Sequence, residues 1–145
     1  MELSPLLGPV VTLVAWSLVM LVWMAVVRRG AFRRKGITLS NIPDGARGSA
    51  LDNAGEDRAQ WKAHNYQHLM EQPTIFYAIV FALILMGMDV EINVWLAWGY
   101  VVLRIVHSIV QATVNIVRYR LALFALSTFC LLGLTVHAAA RLLHG

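Results

Sequence analysis

Cysteine is nearly absent from this chain. Cys130 stands alone among 145 residues, so neither an intrachain disulfide nor a cysteine-built metal site can form. Charge is scarce too: 14% of residues are Asp, Glu, Lys or Arg, against roughly a quarter in soluble domains. With 59% hydrophobic residues and a mean hydropathy of +0.64, there is too little charge to clothe a water-soluble globule. There is no glycine-rich phosphate loop and no evident Ser, His and Asp triad, which removes P-loop and triad hydrolase chemistry. The net charge of +4 does not point to nucleic acid. Arg28, Arg29, Arg33, Arg34 and Lys35 directly follow an apolar run, the place where positive charge flanks a membrane span.

What remains is apolar sequence in long runs. The hydropathy pattern predicts an all-α integral membrane protein, a four-transmembrane-helix bundle forming one domain over 1–145. The spans are expected at about 6–27, 58–88, 93–117 and 121–143, with a loop at 28–57. Residues 6–27 carry no ionisable side chain and follow Ser4-Pro5, a suitable helix start. No basic leader or small-residue cleavage site marks this run as a removed signal. Glycines and Asn41-Ile42-Pro43-Asp44-Gly45 break the loop region. The second span continues through Pro73, where a kink is expected, and Arg118-Tyr119-Arg120 is expected to connect the last two spans.

Eight Lys and Arg residues lie between positions 28 and 62, and two more at Arg118 and Arg120. The short turn between the second and third spans holds none. The positive-inside rule therefore predicts cytoplasmic placement of the long first loop and of the 118–120 connection, with both termini non-cytoplasmic.

Polar residues inside the spans fall into two stripes. At 100° per residue, Arg104, His107, Ser108, Gln111, Asn115 and Arg118 occupy an arc of roughly 100° on the third span. Trp61, His64, Asn65, His68, Glu71 and Gln72 occupy one of roughly 120° on the second. Arg104 is expected ~16 Å deep in the bilayer, where a charge costs about 2.5–3.5 kcal/mol on insertion scales and needs a partner. Glu71 is the acidic side chain available to it, so a Glu71–Arg104 pair is expected. Ser108, Gln111 and Asn115 taken singly suit helix–helix glue equally well. His137 suits packing near the outer end of the fourth span, and Trp16, Trp23, Trp95 and Trp98 suit interfacial or lipid-facing positions. His64 and His68 are four apart, a spacing that can bind zinc or copper. No Glu follows the first His as in a metalloprotease helix, and no metal is expected.

The second span reads Asn65-Tyr66-Gln67-His68-Leu69-Met70-Glu71-Gln72-Pro73-Thr74-Ile75-Phe76-Tyr77. The third reads Arg104-Ile105-Val106-His107-Ser108-Ile109-Val110-Gln111, followed by Asn115 and Arg118. In order and spacing these resemble the MAPEG superfamily, membrane-associated proteins in eicosanoid and glutathione metabolism, and look most like its bacterial-type members. The resemblance implies a homotrimer with glutathione as co-substrate, bound between neighbouring subunits near the cytoplasmic membrane face. It implies a glutathione pocket drawing on Asn65, His68, Glu71 and Arg104 from the inner half of the bundle. His107, Gln111 and Asn115 would complete that pocket. Arg118, fourteen residues after Arg104, matches an arginine that stabilises the glutathione thiolate in the leukotriene-synthase branch. His64, His68 and Gln111 stand where characterised eukaryotic members carry Arg, Asn and a frequent Tyr.

The expected function is thus a membrane-embedded glutathione-dependent transferase or peroxidase acting on a lipophilic small molecule, with the lipid bilayer as its surroundings. The alternative is a non-catalytic membrane protein whose polar stripe holds an oligomer together. Small multidrug exporters also have four short spans, but place an essential carboxylate in the first, and 6–27 has none.

Overall fold

The computed structural model describes residues 3–34, 36, 38, 40 and 57–144. Lys35 and the turn-rich run 41–56 lie outside the described residues. The described residues form four helices: α1 (Leu7–Arg34), α2 (Asp57–Leu85), α3 (Glu91–Thr113) and α4 (Val117–His144). All four are long and apolar enough to cross a membrane.

Helix α1 starts where Ser4 caps it: the Leu6 N–H donates to Ser4 Oγ at 3.3 Å and the Leu7 N–H to the Ser4 carbonyl at 3.1 Å. It runs past 27 into the basic segment. Arg33 and Arg34 occupy its last turn, where the negative end of the helix dipole favours cations. Helix α2 passes through Pro73 without a break. It ends in a Schellman motif at Gly87, whose φ of 65° is left-handed. Met88 N–H bonds the Leu83 carbonyl (2.9 Å) and Gly87 N–H the Ile84 carbonyl (3.0 Å).

Helix α3 departs from the hydropathy pattern. Residues up to 117 are apolar enough to continue it, yet it stops at Thr113. Asn115 takes φ 53°, a conformation Asn tolerates better than other side chains, and its N–H reaches back to the Val110 carbonyl at 2.7 Å. After this reversal α4 begins at Val117. Arg118, Tyr119 and Arg120 therefore belong to the first turn of α4, not to a connection.

Helix α3 packs most extensively on α4, and α1 on α2. Leu6, just before α1, and Val10, Leu13 and Met20 on one face of it are buried in one core with Leu69, Phe76, Val80 and Leu83 of α2, Tyr100 and Val101 of α3 and Leu134 of α4. Phe76 and Tyr100 stack at 4.3 Å between centroids, 12° from parallel. Gly133 lets α3 come close, since a Cβ there would sit 3.1 Å from Leu96 Cδ1. At the end opposite the α3–α4 reversal, Ser4 Oγ donates to Asp89 (2.8 Å), and His137 Nδ1 meets Asn93 Oδ1 at 2.6 Å. His137 is thus an inter-helix link. The outer face is studded with exposed Val, Leu, Ile and Phe side chains, as the hydrocarbon of a bilayer requires.

Candidate functional site

The inner polar residues divide into ties and a cleft. Ser108 on α3 is the central tie. Its hydroxyl oxygen accepts from Asn65 Nδ2 of α2 at 2.7 Å and from Trp16 Nε1 of α1 at 3.0 Å. Trp16, expected at the lipid face, thus turns inward. A second tie crosses α2, α3 and α4: Gln72 Nε2 donates to Thr128 Oγ1 (2.9 Å) and Gln72 Oε1 accepts from the Tyr100 hydroxyl (3.4 Å). Ser108→Ala strips the acceptor from two donors at once. The expected cost is about 1–3 kcal/mol for an unmet buried group, read as a lower melting temperature in detergent, with Ser108→Thr, which keeps the hydroxyl acceptor, recovering most of the loss.

The cleft lies where α3 gives way to α4. It encloses about 270 Å³ and is lined by His68 of α2, His107 of α3, and Val117, Arg120, Leu121 and Phe124 of α4. His68 and His107 meet edge to face at 6.4 Å. His107 is held through both nitrogens: Nδ1 faces the Arg120 carbonyl at 3.0 Å and Nε2 the Gln111 carboxamide at 3.1 Å. A carbonyl can only accept, so Nδ1 carries a proton. Arg120 extends Nη1 to Asn115 Oδ1 at 2.7 Å.

Arg104 sits behind this wall, 1% exposed. Its Nη2 donates to the His68 carbonyl at 2.8 Å, and its guanidinium carbon lies 5.7 Å from the centroid of the Phe124 ring. Its Nε and Nη1, like Nε of Arg120, are buried without a hydrogen-bond partner among the described residues. The expected Glu71–Arg104 pair does not form within the chain. Glu71 bonds His68 instead, Oε2 to Nδ1 at 3.1 Å, and its side chain is 67% exposed on the outer face of α2. The reason is geometric: Arg104 points inward to a backbone carbonyl, Glu71 outward.

Of the residues expected to share one pocket, His68 and His107 line the cleft and Arg104 backs it. Gln111 and Asn115 stand one layer behind as the partners of His107 and Arg120. Asn65 is buried in the Ser108 tie. Arg118 is exposed, its guanidinium 5.1 Å from the Tyr119 ring centroid, and does not line the cleft. The fourteen-residue offset from Arg104 overlooked the reversal at Asn115, which turns Arg120, two residues on, toward His107. With α4 begun at Val117, Val117, Arg120 and Phe124 follow one another at i, i+3 and i+7 with Leu121 beside them, a pattern that an earlier helix end would have revealed.

Chemically, one guanidinium, that of Arg120, and two imidazoles line a space walled otherwise by Val, Leu and Phe, with the Arg104 guanidinium buried behind it. Such a site favours an anion bearing, or meeting, an apolar group. Among the described residues no three His, Cys, Asp or Glu gather as metal ligands.

Four helices able to span a bilayer, with a cleft at one end lined by His68, His107 and Arg120, define a multi-pass integral membrane protein. The chain matches the MAPEG family model over residues 6–140 and belongs to that family, membrane proteins of glutathione and eicosanoid metabolism. It matches no curated protein and no solved structure.

Proposed function

We propose that this protein is a glutathione-dependent membrane enzyme, a transferase or peroxidase acting on a lipophilic electrophile that arrives from the bilayer. The observation that carries the reading is the cleft itself. Arg120 lines it and Arg104 lies buried just behind it, both with unpartnered guanidinium nitrogens among the described residues, so positive charge favours an anion on one side, while Leu121 and Phe124 offer an apolar wall on the other. A tripeptide with a nucleophilic sulfur and carboxylates suits the first, a lipophilic co-substrate the second.

The chemistry asked of the protein is modest. A nearby cation stabilises thiolate over thiol, and thiolate is the nucleophile. In the transfer reaction the sulfur forms a bond to an electrophilic carbon, a leaving group departs or a strained ring opens, and the thiol proton is released to solvent. Arg120 is the cation placed to face the sulfur. Arg118 lies outside its own chain's cleft and is assigned to the site only in an assembly where a neighbouring subunit completes it. That assembly is the homotrimer we propose. Glu71 lies about 21 Å from either end of α2 at ~1.5 Å per residue, and a carboxylate so exposed at that depth calls for cover by another subunit. In this arrangement the basic end of the bundle and the cleft face the cytoplasm, and both termini lie on the other side.

The ties at Ser108 and Gln72 favour a competing reading, a non-catalytic protein whose polar residues only hold helices together. The test is glutathione binding by the detergent-purified protein, followed through the ultraviolet absorbance of bound thiolate. Saturable binding with thiolate that is lost in Arg120→Ala is expected. Absence of binding at millimolar glutathione overturns the enzymatic reading in favour of the other. Thiolate lost in Arg118→Ala but kept in Arg120→Ala reverses the assignment of the two arginines.

A further inference from the structure

Arg120 occupies an unusual place for the cation of a site. It lies in the first turn of α4, where the positive end of the helix dipole repels a guanidinium and where Arg118 adds a second like charge two residues away. Arg104 and, when protonated, His68 and His107 add further positive charge around the cleft. Left to these forces, a long flexible side chain swings toward water. Two contacts oppose this. Asn115 Oδ1 accepts from Arg120 Nη1 at 2.7 Å, and His107 Nδ1 donates to the Arg120 carbonyl at 3.0 Å. One grips the guanidinium, the other the backbone beneath it.

We infer that Asn115 and His107 are positioning residues that hold the Arg120 guanidinium over the cleft, with Asn115 serving both as the left-handed reversal ending α3 and as the clamp on the side chain. As a statement about thiolate chemistry this rests on the reading that Arg120 faces the glutathione sulfur. The combination explains why Asn, and not Gly, stands at 115. Gly adopts φ 53° more readily, but it has no oxygen to offer Arg120. The clamp does not use up the guanidinium, since Nε of Arg120 has no hydrogen-bond partner among the described residues. Gln111 extends the same chain of contacts, meeting His107 Nε2 at 3.1 Å, so the ring that fixes the Arg120 backbone is itself fixed from behind.

Asn115→Gly separates the two duties, because it keeps the backbone reversal and deletes only the oxygen. In full-length protein carrying 15N-labelled arginine, the side-chain signals of Arg120, assigned with Arg120→Lys, are expected to show hindered guanidinium rotation without any ligand. In Asn115→Gly they collapse to the free-rotation pattern, and in Asn115→Asp, which keeps an acceptor, they stay hindered. With glutathione bound, Asn115→Gly is expected to raise the apparent pKa of the bound thiol by about one unit, a tenfold loss of thiolate at a pH below it. Glutathione affinity is expected to change much less. Unchanged Arg120 signals in Asn115→Gly overturn the inference, and so does an unchanged thiolate titration once those signals have collapsed. If the signals respond as expected but wild-type protein binds no glutathione, the positioning stands and the proposed function falls.

Discussion

Arg104→Met is expected to bind glutathione at least about tenfold more weakly than wild type while melting no lower in detergent. The two halves of this result come from one fact. Arg104 is fully buried yet makes a single hydrogen bond, to the His68 carbonyl, and leaves Nε and Nη1 without partners among the described residues. A buried charge that is poorly compensated costs more in desolvation than it returns. Replacing it with an apolar side chain of similar length is often neutral or stabilising by about 1–4 kcal/mol. Hydrogen bonds to a charged group are worth about 1.5–3 kcal/mol each, so losing even one contact to an anionic ligand weakens binding by roughly ten- to a hundredfold. A residue kept at a stability cost marks a site held ready for a ligand. A purely structural Arg104 gives the opposite result, a melting temperature lowered by several degrees with no change in binding.

Glu71→Gln provides the companion measurement. Were Glu71 the counter-charge of Arg104, its removal would leave a bare buried cation and cost about 3–5 kcal/mol. Its carboxylate instead faces outward to His68, and the melting temperature of the isolated subunit is expected to stay within a degree or two of wild type. A drop confined to the assembled oligomer would place Glu71 at the contact between subunits.

The hydropathy of the chain made four helices legible because each run must bury its backbone in lipid without water's help. The short turn between the second and third spans was equally legible, since polar, acidic residues separate the two apolar runs. The end of α3 was not. Val114, Ile116 and Val117 continue the apolar pattern, and the reversal depends on one backbone angle at Asn115 that composition does not betray. That single boundary decided which α4 side chains line the cleft: Arg120, Leu121 and Phe124, and not Arg118. The polar stripes singled out His68 and His107, which line the cleft, and Arg104, Gln111 and Asn115, which stand behind it. Charge counting then mated Arg104 to Glu71, because a backbone carbonyl as partner, here that of His68, leaves no mark in a pattern of side chains. Trp16 was misjudged for a related reason: an indole ring suits a lipid face or an interior equally, and only Ser108 across the bundle decides between them.

The largest loss of stability is expected at Tyr100. Its ring is wholly buried, stacks on Phe76 at 4.3 Å, and stands in the core that joins α1, α2, α3 and α4. Lipid offers no hydrophobic gain to compensate poor packing between helices, so association rests on close contact and hydrogen bonds. Tyr100→Ala removes the ring and its stacking partner's contact and opens a cavity between three helices, for an expected cost of about 3–5 kcal/mol. The hydroxyl contributes little of this. Its bond to Gln72 is long, 3.4 Å, and Gln72 keeps its second bond to Thr128 when the hydroxyl is gone. Tyr100→Phe is therefore expected to cost under about 1 kcal/mol and to leave glutathione binding unchanged, because the ring lies outside the cleft lining. Thermal melts of the two variants side by side decide the matter. Equal destabilisation would shift the weight from the stacked ring to the polar tie through Gln72, and the order of forces holding α2 against α3 would have to be reversed.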